Sequence, residues 1–370
     1  MSASIQRPTI AEMATSKRVR LMAPVVCFVF LILLGLYYAE NFSILPGTQA
    51  IIHQPAEVVP LDPKDGIDWS RFAYAQYVTN SIYLCNSVMF FDRLHKLGSR
   101  AERIMMYPSN MLPDPEATEG TGDAQLIIKA RDEYGVKLSP VIVQHKASQD
   151  ATWADSFTKL LAFNQTQYDR VLSMDSDSTL LQSMDELFLL PSVTLAAPRA
   201  YWLWPDTQIL SSQIILVQPS VQEFARVQGK VGTASSNDYD MEIINQLYRD
   251  SALILPHRPF NLLTGEFRSK QHTYYLGNEN EDWDPLEAFN EAKFIHFSDW
   301  PIPKPWIAAS KDALQKHQPS CEETGSAMDC TSRYLWHSLY RDFRERRQLV
   351  SDVKGRQLSP GPSGGGSGVT

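Results

Sequence analysis

Cysteine is scarce in this sequence. Four cysteines in 370 residues are too few for a fold held together mainly by disulfides. Cys27 lies in an apolar run, and Cys85 lies in a predicted apolar helix, where we expect a buried thiol. Cys321 and Cys330 are close enough in sequence to be candidates for one local bridge in an oxidising compartment, and their spacing leaves open whether the bridge forms.

An excess of positive charge is also missing. The chain has 34 Lys and Arg against 42 Asp and Glu, for a formal net charge of -8. Nucleic acid is therefore excluded as the main partner, because phosphate binding needs clustered Lys and Arg. Any acidic ligand must be met by a few local cations. The content of 44% hydrophobic and 21% charged residues is typical of one large globular domain with attachments.

Long hydrophobic runs are absent except for one near the N-terminus. Residues 21–39 carry no charge and follow a basic flank, and about 20 apolar residues can span a bilayer. We predict a cytoplasmic tail (residues 1–20), an uncleaved transmembrane signal anchor (21–39) and a stem (40–70). A cleaved signal peptide is the alternative, although its apolar region would normally be shorter. A globular domain (71–350) and a flexible tail (351–370) follow.

Strand and helix patterns alternate along the globular domain. Strands are predicted at residues 73–78, 104–107, 141–143, 171–174, 193–197, 214–217 and 294–297, and helices at 80–97, 123–134 and 240–248. A further amphipathic helix is predicted around residues 153–161, with Lys159 outside its apolar stripe. This order predicts an α/β fold with a mainly parallel sheet and covering helices.

Two aspartates end the predicted buried strand at residues 171–174. In an extended backbone, residues two apart point to the same side, so Asp175 and Asp177 converge at the carboxyl edge of the sheet. Open α/β sheets bind ligands at that edge, and paired carboxylates favour a cation. The pattern therefore predicts a metal-assisted site.

Other interpretations of the aspartate pair stay open at this point. An Asp-x-Asp sequence is common in solvated turns. A calcium loop starting at Asp175 would need Gly at its sixth position, where this chain has Leu180. A phosphatase of the haloacid dehalogenase type is a further alternative, because Asp175, Asp177 and Thr179 after an apolar strand resemble its nucleophile loop.

An ordered set of segments between residues 74 and 306 resembles the glycogenin-like glycosyltransferases of family 8. The segments are 159–188, 195–198, 204–206, 218–220, 240, 255–256, 296–297 and 304–306. Residues 77–83 resemble the uridine-binding start of that family. The predicted anchor and stem make the chain similar, within the family, to the fungal Golgi N-acetylglucosaminyltransferases.

The resemblance implies a fold, a reaction and a location. The fold would be a single Rossmann-like nucleotide-sugar-binding domain of the GT-A type with a mainly parallel central sheet, preceded by the transmembrane helix. The reaction would be the retaining, metal-dependent transfer of a hexose, foremost N-acetylglucosamine, from a UDP-sugar to a luminal glycan acceptor that contains mannose. The cofactor would be Mn²⁺ or Mg²⁺, and the location the Golgi membrane as a single-pass type II protein. A phosphatase and a catalytically silent sugar-binding homologue are the alternatives.

The resemblance also implies roles for individual residues. Asp175, Asp177 and His296 would hold the metal, although a single His on an apolar strand is commonly a core residue. Asp240 would be catalytic, with helix capping as the alternative. The donor would be bound by Tyr77, Thr79, Asn80, Tyr83, Lys159, Ser176, Ser211, Ser212, Gln213 and Lys304.

Three departures from the family pattern limit these roles. Ser211-Ser212-Gln213 stands where the family has Asn-Ser-Gly, and Asp240 is followed by Met where the family has Gln. Both places face the donor sugar in the family, so glucose is not assumed as that sugar. The spacing from His296 to Lys304 is two residues longer than usual, which leaves the role of Lys304 open.

Overall fold

The computed structural model describes residues 66–145, 154–324 and 327–351. The predicted cytoplasmic tail and signal anchor, almost all of the stem and residues 352–370 of the tail lie outside these ranges. Within the described ranges, no helix combines the length and the apolar character that crossing a membrane would require.

Twelve strands are formed by the described residues. They are β1 (Phe72–Tyr77), β2 (Glu102–Pro108), β3 (Val136–Val141), β4 (Arg170–Met174), β5 (Ser178–Leu180), β6 (Leu195–Pro198), β7 (Ile214–Val217), β8 (Leu253–Leu255), β9 (Leu262–Leu263), β10 (Phe294–His296), β11 (Glu322–Thr324) and β12 (Ala327–Asp329). Seven of them form the central sheet in the order β3-β2-β1-β4-β7-β6-β8. Only β7 runs antiparallel to its neighbours in this sheet. The predicted mainly parallel sheet is confirmed.

Helices surround this sheet. The α-helices are α1 (Ser81–Lys96), α2 (Asp123–Tyr134), α3 (Val221–Gly232), α4 (Asp240–Tyr248), α5 (His257–Phe260), α6 (Thr273–Leu276), α7 (Pro285–Glu291), α8 (Lys311–His317) and α9 (Thr331–Ser351). Short 3₁₀ helices lie at Trp69–Arg71, Ser156–Asn164, Asp185–Leu189, Tyr201–Leu203 and Thr264–Arg268. The predicted bounds of α2 and α4 match the structure.

Local capping explains where α1 begins and where α2 ends. The Asn80 side chain accepts hydrogen bonds from the amides of Ile82 and Tyr83 and so caps α1. Gly135, with φ of 65°, ends α2 in the left-handed conformation that glycine adopts most easily. The strand that follows begins at Val136, so our prediction of a strand at residues 141–143 was wrong. Pairing with β2 starts directly after the turn, and Ile142 lies beyond β3 and is 79% exposed.

Two hydrophobic clusters fill the space on either side of the sheet. One includes buried residues of α1, α2 and α9, and the other includes buried residues of α3, α4 and the helix Ser156–Asn164. We had predicted an amphipathic helix at residues 153–161. The structure instead has a 3₁₀ helix whose residues from Ser156 to Phe163 are all buried, including Lys159.

The two cysteines near the C-terminal end of the domain are bonded to each other. The Cys321–Cys330 disulfide joins the segments on either side of the β11–β12 hairpin. Cys85 is a buried free thiol, as predicted.

Candidate active site

The acidic turn lies between two strands that belong to different sheets. β4 of the central sheet ends at Met174, and β5 of a three-stranded sheet begins at Ser178. In that second sheet, His296 of β10 lies directly opposite Ser178. The Phe297 amide donates to the Asp177 carbonyl over 3.0 Å. Strand pairing therefore places His296 beside a turn more than 110 residues away in sequence.

Asp175, Asp177 and His296 form a cluster with the geometry of a metal site. The Nε2 atom of His296 lies 3.1 Å from Oδ1 of Asp177 and 3.8 Å from Oδ2 of Asp175. One ligand atom from each residue lies within 4.8 Å of the others. Two carboxylates and an imidazole suit Mn²⁺, and carboxylates also suit Mg²⁺. The three residues that we predicted as metal ligands therefore do lie together and fit such an ion.

Gln213 contacts the ring nitrogen of His296 that does not face the two aspartates. Its amide nitrogen lies 3.2 Å from Nδ1 of His296, and its Oε1 is buried without a hydrogen-bond partner among the described residues. A His that ligates a metal through Nε2 carries its proton on Nδ1 and donates it to an acceptor. An amide turned over would bring Oε1 to that proton, so Gln213 can hold the ring in the ligating tautomer.

A buried lysine connects the acidic turn to α4. The Nζ atom of Lys159 lies 2.6 Å from Oδ1 of Asp175 and 2.8 Å from Oδ2 of Asp240, and it donates to the Ser212 carbonyl over 2.9 Å. Burial would lower the pKa of Lys159, but the two carboxylates outweigh burial and raise it. The hydroxyl of Tyr77 also donates to Asp175, over 2.9 Å. Lys159 is therefore a charged part of the site and not a surface residue.

A second lysine reaches the cluster from the loop after β10. The Nζ atom of Lys304 lies 2.7 Å from Oδ2 of Asp177 and donates to the Phe297 carbonyl over 2.5 Å. Burial raises the pKa of Asp177, but His296 and Lys304 together hold it well below its usual range. Burial is also the main reason that the pKa of Asp175 is raised.

Asp240 is the first residue of α4 and not its cap. The cap is Tyr239, whose amide donates to the Glu242 carboxylate over 3.0 Å. The Asp240 amide donates to Oγ of Ser156, and the Asp240 carboxylate pairs with Lys159. The capping interpretation is therefore wrong for the carboxylate, which belongs to the charged site. Its catalytic role stays a prediction.

Six further predicted donor-binding residues fall into two groups. Ser211, Ser212 and Gln213 precede β7 beside the acidic turn, where the Gln213 carbonyl accepts from the Asp175 amide over 3.0 Å. Ser211 also accepts from the side-chain amide of Asn261, a buried residue that we did not predict. No local signal identified Asn261, because the contact spans 50 residues.

The second group lies at the ends of β1, β2 and β3. A cavity of about 830 Å³ opens there, and its walls include Thr79, Asn80, Met111 and Asp123. Tyr83 follows in α1, where burial, and after it the charges of Asp177 and Asp175, raise its pKa to about 12. Protein pockets that bind small molecules commonly have about this volume. The acidic cluster does not line the cavity, so the site has two adjoining parts.

Ser176 and Leu180 complete the description of the turn. Ser176 is buried between the two aspartates. Leu180 ends β5 and pairs with Phe294, so the residues after the turn form a strand and do not continue a calcium loop.

The described residues form a mostly parallel α/β sheet, and this Asp-Asp-His cluster lies just beyond the end of β4. No family model matches the chain. The chain is 57% identical over 293 residues to glucose N-acetyltransferase 1 of Gibberella zeae, with 78% of this chain and 64% of that protein covered. It is 44% identical over 316 residues to glucose N-acetyltransferase 1 of Aspergillus fumigatus, with 81% and 82% covered. The chain belongs to the glucose N-acetyltransferase 1 family.

Solved structures show weaker likeness. The bifunctional glycosyltransferase WbbM has a TM-score of 0.48 at 16% identity, over 76% of this chain and 50% of its own. The galactosyltransferase LgtC, in complex with donor and acceptor sugar analogs, has a TM-score of 0.48 at 12% identity, over 76% and 96%.

Proposed function

We propose that the chain is a retaining, divalent-metal-dependent glycosyltransferase of the glycogenin-like family 8, which moves N-acetylglucosamine from a UDP-sugar to a glycan acceptor. The observation that carries the proposal is the Asp175–Asp177–His296 cluster, flanked by Lys159 and Lys304. A nucleoside diphosphate is a leaving group with concentrated negative charge, and a transferase must stabilise that charge as the glycosidic bond breaks.

The charge balance of the site explains why a cation is needed. The carboxylates of Asp175, Asp177 and Asp240 face the two ammonium groups of Lys159 and Lys304. With His296 neutral, these groups carry one net negative charge, which would repel a diphosphate. A bound Mn²⁺ or Mg²⁺ would reverse this sign and act as a Lewis acid on the diphosphate oxygens.

The geometry suggests which residues would bind each part of the donor. The cavity at Thr79 and Asn80 suits the nucleoside, because it adjoins the cluster and has the volume of a small-molecule pocket. Lys304 is 34% exposed and can turn from Asp177 to a phosphate. Lys159 is held on both sides by carboxylates, so its role is to fix Asp175 and Asp240 while Asp240 faces the anomeric carbon.

Two features favour N-acetylglucosamine as the transferred sugar. The relatives' name joins glucose with an N-acetyl group. Gln213 contacts His296 of the cluster, and Ser211 and Gln213 differ in size and hydrogen bonding from the Asn and Gly that glycogenins have at those two positions. With Oε1 turned to His296, the Gln213 amide N–H group would be free to donate to an acetamido carbonyl.

A purified preparation of the full chain tests the reaction. We expect UDP release from UDP-N-acetylglucosamine when a mannose oligosaccharide is present, faster than from UDP-glucose or UDP-galactose, and stopped by chelator. Proton NMR of the product should show the α-anomer, as retention of the donor configuration requires. Acetylation of glucose, with acetyl-coenzyme A consumed, would replace this proposal with the literal meaning of the relatives' name. Orthophosphate release from small esters would indicate a phosphatase, and the absence of all three reactions a silent homologue.

We further propose a type II topology in the Golgi membrane, with a mannose-containing luminal glycan as acceptor. The support is the sequence alone, namely the basic flank followed by the uncharged run at residues 21–39. Protease added to sealed Golgi vesicles should leave the domain intact, and digestion without detergent would refute this topology.

A further inference from the structure

Trp300 is almost completely exposed and lies in the loop between His296 and Lys304. Its fractional exposure is 90%, the highest among the exposed large hydrophobic residues of the described part of the chain. A tryptophan contributes a large apolar area, so leaving one in water forgoes a considerable stabilisation. This exposure is unexpected for so large an apolar side chain. Trp300 lies four residues from His296 and four from Lys304.

The residue before Trp300 anchors the chain firmly. The Asp299 side chain is fully buried. It accepts from Nε1 of Trp336 over 3.1 Å, from the hydroxyl of Tyr340 over 2.8 Å and from Arg268 over 3.2 Å. The hydroxyl of Thr264 donates to the same carboxylate. A charged group with this many partners holds one position, because losing any partner would leave buried charge unsatisfied.

Further contacts fix the backbone on both sides of the tryptophan. Arg268 also donates to the Asp299 carbonyl over 2.7 Å, and the Ile302 amide donates to that carbonyl over 2.8 Å. Trp300 therefore lies in a closed turn on a rigid base. Its exposure follows from how the turn is built and not from a loose loop.

The same loop is closed at the metal cluster. Lys304 donates to the Phe297 carbonyl and pairs with Asp177, while the Phe297 amide donates to the Asp177 carbonyl. Both ends of the loop thus touch Asp177. Trp300 is three residues from Phe297, so its Cα lies within about 11 Å of the Phe297 Cα, given at most ~3.6 Å of chain per residue.

We propose that Trp300 is a binding platform for a pyranose ring of the acceptor glycan. This inference rests on the proposed function, since it names where the second sugar is held. A pyranose has an apolar face of C–H groups and a rim of hydroxyls, and an indole offers a flat apolar surface with one N–H donor at its edge. A rigid platform loses little entropy on binding. Its position near Asp177 would hold the acceptor beside the donor.

Substitution of the ring tests the platform. Trp300→Ala should raise the acceptor KM about tenfold or more, while donor KM, Mn²⁺ dependence and melting temperature stay unchanged because the ring supports nothing in the fold. Trp300→Phe should keep most of the acceptor affinity. Tyr334→Ala is the matched control, since Tyr334 of α9 is 67% exposed and lies outside the site.

Binding without donor separates this inference from the proposed function. Saturation-transfer NMR with a mannose oligosaccharide and the full chain should show contact in the wild type and loss of contact in Trp300→Ala, even if no sugar is transferred. An unchanged acceptor KM together with unchanged binding would overturn the platform, and so would an oligosaccharide that fails to bind the wild type at all. Loss of binding to phosphatidylcholine vesicles, with acceptor KM unaffected, would identify Trp300 as a membrane contact and would also overturn it.

Discussion

Removing the charge of Lys159 should destabilise the whole domain. The Lys159 side chain is 2% exposed, and its Nζ atom lies within 2.8 Å of carboxylate oxygens of both Asp175 and Asp240. In the Lys159→Met variant the side chain keeps a similar length, but two buried carboxylates then repel each other without a cation between them. Removing one partner of a buried ion pair costs about 3–5 kcal/mol.

The contacts that remain place the expected loss within this range. Asp175 keeps the hydroxyl of Tyr77 as a donor, and Asp240 is 10% exposed, so water and hydrogen bonds compensate part of the charge. Each lost pair at 2.6–2.8 Å corresponds to roughly 6 kcal/mol of attraction at an effective dielectric constant near 20, before the cost of desolvation is subtracted. We therefore expect a loss of about 4 kcal/mol.

Thermal unfolding in the presence of chelator measures this loss, because chelator excludes compensation by a metal ion. A change of 1 kcal/mol shifts the melting temperature of a domain of this size by about 2–4 °C, so Lys159→Met should melt roughly 10 °C lower. Lys96→Met is the matched control. Lys96 is 60% exposed, so solvent screens its charge, unlike that of the buried Lys159, and we expect a much smaller loss.

A second substitution makes the reasoning refutable. Asp240→Asn added to Lys159→Met removes one of the repelling carboxylates, so the double variant should lose less stability than the sum of the two single variants. Melting of Lys159→Met within 2 °C of the wild type, or strict additivity of the two losses, would show that Lys159 does not hold the carboxylates together.

Three further predictions concern catalysis, the metal and pH. Asp240→Asn should lower turnover by on the order of a hundredfold and lower the melting temperature, since Lys159 loses a partner. The control Glu242→Gln, on the same helix, should leave turnover near the wild-type rate. Wild-type turnover in Asp240→Asn would end the catalytic assignment. Asp177→Asn should abolish Mn²⁺ binding, as measured by electron paramagnetic resonance, whereas Asp206→Asn, at an exposed position, should retain it. Mn²⁺ binding by both variants would show that the cluster is not the metal site. Burial lowers the pKa of His257 in the folded protein. As pH falls below about 6.5, the unfolded chain therefore binds a proton before the folded protein does. The free energy of unfolding then decreases by up to ~1.4 kcal/mol per pH unit. Urea titrations of the wild type and His257→Gln at pH 5 and 7 should show a larger drop in the wild type, since burial also lowers the pKa of His337 in both.

Some of the structure follows directly from local sequence patterns. The bounds of α2 and α4 and the strands β4 and β7 follow from periodicity and caps that lie within a few residues of each element. The Asp175–Asp177 turn was predictable for the same reason, because a buried strand ends where two carboxylates begin. The meeting of these aspartates with His296 needed the resemblance to family 8, since their proximity depends on the pairing of β5 with β10.

The sequence by itself thus determined the α/β class and the acidic turn, because each depends on the order of neighbouring residues along the chain. The membrane anchor stays a prediction. Tertiary structure alone decided that Lys159 is buried between two carboxylates, since a lysine outside a helical stripe would ordinarily extend into water. It also decided that Asp299 is buried and its neighbour Trp300 exposed, the reverse of what their polarities indicate. Long-range partners reverse such local preferences because a buried charge becomes stable only when distant donors surround it, and no pattern within one segment records where those donors come from.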